Sequence, residues 1–197
     1  MSNSIKSYYE IAENDFLWMQ ETMNNHKEGG TIFNSACAHA QNTVEKYLKH
    51  IITMLPCSEE DEAERTAILK THSVKRLTSF LHKSKVKLNF ESFDFIDGYY
   101  FETRYPGDEC FFVEEYDLQK CWRALKNCRD EVNSWLLEVQ NSVVQKAEKF
   151  VGDYEATHSR VADETNSLGS SSIEIAKQLG FNFKECEQNA IREMCQS

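Results

Sequence analysis

Between Asn34 and Met54 the chain runs for 21 residues without a glycine or a proline, and its apolar residues recur three or four apart. Ala36, Ala40, Val44, Tyr47, Leu48, Ile51 and Leu55 therefore share one face of a helix, since a period of about 3.6 residues returns side chains to the same side. Small residues come first and large ones follow, so a neighbouring helix can approach closely at one end and meet bulk at the other. Gln41, Glu45 and Lys49 form a second stripe four apart, with Lys46 beside it. Glu45 before Lys49 is the favourable order for a helical ion pair, worth only ~0.2–0.5 kcal/mol. Such a stripe reads first as a solvated helix surface. A ligand-facing surface is the alternative, and it gains weight from a second segment, Tyr99-Tyr100-Phe101-Glu102-Thr103-Arg104-Tyr105-Pro106-Gly107-Asp108.

The rest of the chain reads as further helices. One is expected over residues 5–24, with Tyr8, Ile11, Ala12, Asp15, Phe16, Trp18 and Met19 placing aromatics on the inner side, and the double glycine at 29–30 ends its connection. The second helix, residues 32–54, stops before Pro56, which has no backbone N–H to continue the ladder. Ser58 and the acidic run 59–62 suit a short helix N-terminus. Helices are expected over 73–84, from about 90 to 105, and from 115 to about 138. The last of these buries Leu118, Cys121, Trp122, Leu125, Cys128, Val132, Trp135, Leu136 and Val139. Residues 143–166 lack breakers but carry few apolar positions, which suits an exposed helix, separate or extending the one before it, in need of a partner surface. A Ser/Gly-rich linker lies near 167–172, and two helical pieces split by Gly180 close the chain. The fold class implied is all-α: an antiparallel up-and-down bundle of four to five helices over residues 1–140, with a helical extension over 141–197.

Only 2 prolines and 7 glycines in 197 residues favour long helices, and 41% hydrophobic content supplies a core. The net charge of −10 opposes a general nucleic-acid surface. Lys70, Lys75, Arg76, His82, Lys83, Lys85 and Lys87 nevertheless gather positive charge between 70 and 87, read here as a charged helix end and loop. The last helical piece is acidic, so no basic recognition helix follows and DNA is not an expected partner. Seven cysteines include no Cys-x2-Cys pair and no accompanying His cluster, so no metal site is expected. No apolar run is long enough for a membrane span, and an odd cysteine count without a signal peptide suggests a reducing, cytoplasmic setting.

Four features in sequence order resemble the HEPN family of small prokaryotic helical bundles. They are a first helix bearing Ala12, Asp15 and Trp18; an Ala-rich second helix with Gln41, Glu45, Lys46 and Lys49; His72 at the start of the next; and Arg104-Tyr105-Pro106. The resemblance spans roughly residues 5–140. It implies a homodimer with a groove for a nucleotide or another phosphate-bearing ligand, or RNA, and in many relatives a separate nucleotidyltransferase partner. The groove residues it implies are Arg104, Tyr105, Asp108, Lys46, Lys49, Gln41, Glu45 and His72.

Many relatives in that wider family are metal-independent ribonucleases whose Arg is followed four to six residues later by a His, a general acid or base beside a phosphate-steadying cation. After Arg104 no His follows at that spacing, and Pro106 interrupts the helix that would present it. Arg65 with His72 and Arg76 with His82 lie outside the region that should carry the motif. The sequence reading is therefore a non-catalytic binding or interaction module, without cofactor. The alternatives are a ribonuclease toxin with a degenerate motif and a protein–protein adaptor. Arg104 itself has two readings: a helix C-cap paired with Asp97 or Asp108, or a contact to an anion, for which a planar guanidinium is well shaped.

Overall fold

The computed structural model describes residues 7–25, 33–104, 111–157 and 171–196. Among them there are eight α-helices and no strand: α1 Tyr8–Asn25, α2 Phe33–Met54, α3 Glu62–Leu69, α4 Val74–Lys83, α5 Tyr99–Glu102, α6 Glu115–Thr157, α7 Ser172–Gln178 and α8 Phe183–Gln196. The chain is all-α, as its periodicity requires. No described helix is long and apolar enough to cross a membrane.

Two compact units divide the chain, residues 1–133 and 134–197. In the first, α2 is the central element. It packs against α1, α3, α4 and α5, and most of its length is buried, polar positions included. The stripe expected at the solvent is therefore inside: Gln41 is 0% exposed, Glu45 1% and Lys49 7%. The core combines Ala12, Phe16 and Met19 of α1 with Ala36, Ala40, Val44, Tyr47, Leu48 and Ile51 of α2, Leu77 and Leu81 of α4, and Leu118, Cys121, Leu125, Cys128 and Val132 of α6. Phe16 lies 5.2 Å from Trp122 between ring centroids. A polar tie crosses the same packing. Glu13 accepts two hydrogen bonds from Arg129, each 2.8 Å, and one from the Tyr47 hydroxyl at 2.6 Å. Bidentate guanidinium–carboxylate geometry makes this a strong tie.

The helix expected from 90 to 105 is not continuous. Two 3-10 turns, Phe90–Ser92 and Asp94–Ile96, come first, and only Tyr99–Glu102 is α-helical. Asp97 is the cause. Its carboxylate accepts from the backbone N–H of Val74 and the hydroxyl of Ser73, capping α4. That draws Asp97 into an extended conformation, and Gly98 reverses the path at φ +109. Asp97 is thus committed to α4 and is not the partner of Arg104. The turn expected at 106–109, the glycines at 29–30 and most of the 167–172 linker lie outside the described residues.

α6 runs unbroken from Glu115 to Thr157, so residues 143–157 extend the helix that begins at 115. In the second unit its apolar positions find their cover within the chain. Ala147 and Val151 form a small core with Ile175 and Ala176 of α7, flanked by Phe150, Leu179, Phe181 and Phe183. Ser171 and Glu174 close a reciprocal capping box on α7, and Lys146 pairs with Glu193 at 2.7 Å.

Gly98→Ala tests the Asp97 break. A Cβ there meets the Glu102 carboxylate at 2.8 Å, which can swing aside, but the positive φ cannot be relieved. The expected loss is about 1–2 kcal/mol in urea unfolding, with the far-ultraviolet helical signal retained.

Candidate functional site

Two amides of α2, seven residues apart on one side, grip α5 at both ends. Gln41 Oε1 accepts from the backbone N–H of Tyr100 at 2.8 Å, while Gln41 Nε2 donates to the carbonyl of His72 at 3.0 Å and to Glu45 Oε1 at 3.1 Å. Asn34 Nδ2 donates to the carbonyls of Thr103 and Phe111, and Asn34 Oδ1 accepts from the N–H of Val113. Thr103 returns a hydroxyl bond to the Asn34 carbonyl at 3.2 Å. Amides joined on every side in this way, Gln41 buried and Asn34 half-buried, fix the backbone around them. What they fix is the stretch that ends in Arg104.

Glu45 carries the clamp outward. Its Oε2 lies 3.1 Å from Nδ1 of His72 and 3.7 Å from Nζ of Lys49. The His72 ring, half exposed, stacks on Tyr100 at 5.3 Å between centroids with only 6° between planes. The guanidinium of Arg104 lies 5.0 Å from the centroid of the same Tyr100 ring, a cation–π contact. Arg104 is exposed, and among the described residues no carboxylate pairs with it. Imidazole, phenol and guanidinium thus form one aromatic and cationic cluster reaching solvent.

A second group lies where α1 meets α2. Asp15 pairs with Lys46, and its other oxygen is 3.8 Å from Nε2 of His39. Trp18, half exposed, covers the His39 ring at 4.4 Å. Burial pushes the His39 pKa down; Asp15 opposes this, while Lys46 and then Arg104 add to it. Arg104 is the smallest of these influences on His39. Lys49 is also pushed down, first by burial, with Glu45 opposing.

Of the residues the sequence singled out, Gln41, Glu45, Lys49 and His72 stand together, with Arg104 joined to them through Tyr100. Lys46 faces α1 and Asp15. Tyr105 and Asp108 lie outside the described residues. Sequence reading missed Tyr100 and Asn34. Tyr100 and Arg104 were findable, being an aromatic and a cation four apart at helical spacing. Asn34 carried no signal of its own, because its partners lie 69 and more residues away.

An all-helical unit built round a polar-seamed central helix, with a short helix that leads into Arg104 clamped to it, defines the class. The HEPN domain family matches residues 5–135, and the chain belongs to that family. No curated protein and no solved structure matches the chain.

Gln41→Leu keeps the approximate volume but leaves the Tyr100 N–H, the His72 carbonyl and Glu45 short of a partner. The expected loss is about 1–3 kcal/mol of unfolding free energy, with Arg104 fluctuating more in amide exchange at Thr103 and Arg104. Acidification supplies a further check. His39 and His50 are both pushed below the ordinary histidine value, chiefly by burial. Their unfolded forms bind protons first, so their contribution to stability is complete above about pH 6.5 and is lost as pH falls below it. Urea midpoints should drop between pH 7 and 5. His50→Leu should flatten that drop, His50 Nδ1 being buried without a partner among the described residues.

Proposed function

We propose that this HEPN protein is a non-catalytic binding module that holds a nucleotide through its phosphate and base, and that it works as a dimer. The observation that carries the reading is the cluster His72–Tyr100–Arg104. A solvent-reaching guanidinium sits against an aromatic ring that the α2 amides hold in place. A guanidinium offers paired donors for phosphate oxygens, and the half-exposed His72 ring, stacked on Tyr100, offers a face for a base. Lys46 and Lys49 are already paired with Asp15 and Glu45, so in this reading they set the local field and Arg104 makes the contact. Tyr105 and Asp108 adjoin Arg104 in sequence and complete the proposed ligand set. A separate nucleotidyltransferase remains the partner class that the family resemblance implies.

A ribonuclease reading is favoured by one specific observation. His72 and Arg104 both contact the Tyr100 ring, so a His and the Arg share a neighbourhood although sequence spacing separates them.

Calorimetric titration of the full chain with AMP, ATP and inorganic phosphate tests the binding reading. A nucleotide should bind, and Arg104→Ala should weaken it by about 10- to 100-fold, the value of a charge-assisted hydrogen bond pair. Tyr100→Ala should weaken nucleotides while sparing phosphate. Absence of heat with all three ligands would remove the proposal. Cleavage of RNA in chelator-treated buffer, lost in Arg104→Ala, would put the ribonuclease in its place. Sedimentation equilibrium at several concentrations decides the dimer.

A further inference from the structure

The cations between residues 70 and 87 are not absorbed by the site above. That segment carries Lys70, Lys75, Arg76, Lys83, Lys85 and Lys87 with no Asp or Glu, in a chain of net charge −10. The structure sorts them. α4 buries Val74, Leu77, Thr78 and Leu81, and its opposite side presents Lys75, Arg76, Ser79, His82 and Lys83, all exposed. Lys85 follows at the helix end, also exposed. Among the described residues no carboxylate pairs with Lys70, Lys75, Arg76 or Lys85. Lys83 is the exception, and its partner is instructive: it holds both oxygens of Glu64, at 3.0 and 3.3 Å. The face therefore already takes one carboxylate from within the chain.

Lys85 adds an independent observation. It sits at φ +59, the one non-glycine residue with positive φ among those described. The N–H of Val86 reaches the Leu81 carbonyl and that of Lys85 the His82 carbonyl, the helix-ending geometry in which glycine is the favoured residue. A lysine there costs stability that a glycine would restore, and it extends the cationic strip by one position.

We propose that the outward face of α4, continued by Lys85, is a docking surface for a short acidic segment of a protein partner. Three features favour a peptide over a nucleic acid. α3 packs beside α4, and Glu59, Glu60, Asp61, Glu62 and Glu64 on and before it are all exposed, so a long phosphate backbone running off the strip in that direction meets a row of like charges, which a segment no longer than α4 avoids. The outward face presents no exposed Phe, Tyr or Trp on which a base could stack, Phe80 being half-buried and the His82 ring lying edge-on to Phe90 at 6.4 Å. The helix has 10 residues, a length of about 15 Å, which matches about five residues of extended peptide.

The probe is a fluorescein-labelled peptide of ten glutamates, followed by anisotropy with the full chain at low salt. It should bind, weaken as salt rises, and lose about three- to tenfold in affinity with K75A/R76A, two exposed charge contacts. Lys177→Ala, an exposed cation on α7, should change nothing. Lys85→Gly should raise the unfolding midpoint by a few degrees while weakening the peptide, a split that loss of folding cannot produce. No binding, or equal binding by wild type and K75A/R76A, overturns the proposal. So does a mixed-sequence RNA duplex that binds through Lys75 and Arg76 and is not displaced by the peptide.

Discussion

The first unit depends on one constraint: α2 is packed on nearly all sides and yet carries Gln41, Thr43, Glu45 and Lys49 inside. Burying such groups without partners costs several kcal/mol each, so the surrounding chain is obliged to meet them. Each one does find a partner. Gln41 takes the start of α5 and the carbonyl of His72 two residues before α4, Glu45 takes His72 and Lys49, and Thr43 turns back on the His39 carbonyl. The order of the connections follows. The segment reaching α4 has to pass Gln41, and α5 has to lie along α2 between Asn34 and Gln41. An apolar α2 would hold its neighbours by area alone, which is not directional; amides and carboxylates specify the register as well.

That same requirement explains what was legible. Helix existence followed from period and from the scarcity of breakers, and α1, α2, α4 and the first part of α6 lie where the apolar spacing puts them. The Gln41, Glu45 and Lys49 stripe was visible too, but spacing reports only that three residues share a face. Whether that face meets water depends on what else is long enough to cover it, and the covering pieces, His72 and Tyr100, come from 31 and 59 residues away. The break at Gly98 was hidden for a similar reason. The aromatic run Phe90 to Tyr100 has a helical period, and only the capping of α4 by Asp97, a contact 23 residues back, pulls it out of line. The site was half-legible: Arg104 and His72 were named from the sequence, whereas their link through Tyr100 is a matter of ring positions.

The second unit shows the opposite case, in which a thin pattern still led to the right question. Residues 143–157 have too few apolar positions to stand alone as a helix in water, where most helical stability comes from packing. Ala147, Phe150 and Val151 are three of them, and they are the ones covered by α7 and its flanking aromatics. The partner surface that the spacing demanded is supplied by the chain itself. Small as that core is, it accounts for Phe181 and Phe183, whose rings lie 4.8 Å apart beside Phe150.

The positions of the cations bear on function more than their number does. Lys46 and Lys49 looked equivalent to Arg104 as phosphate contacts, and each is held by a carboxylate on or beside α2. Arg104 is held by a ring instead. An ion pair must be broken before its lysine can serve an incoming anion, and a partly buried one leaves its acid behind unpaired, which is costly. A guanidinium against an aromatic ring gives up nothing of the kind, since no acid is left unpaired when it turns to an anion. Three basic residues that are alike in sequence therefore differ in what they can do, and the difference rests on Asp15, Glu45 and Tyr100.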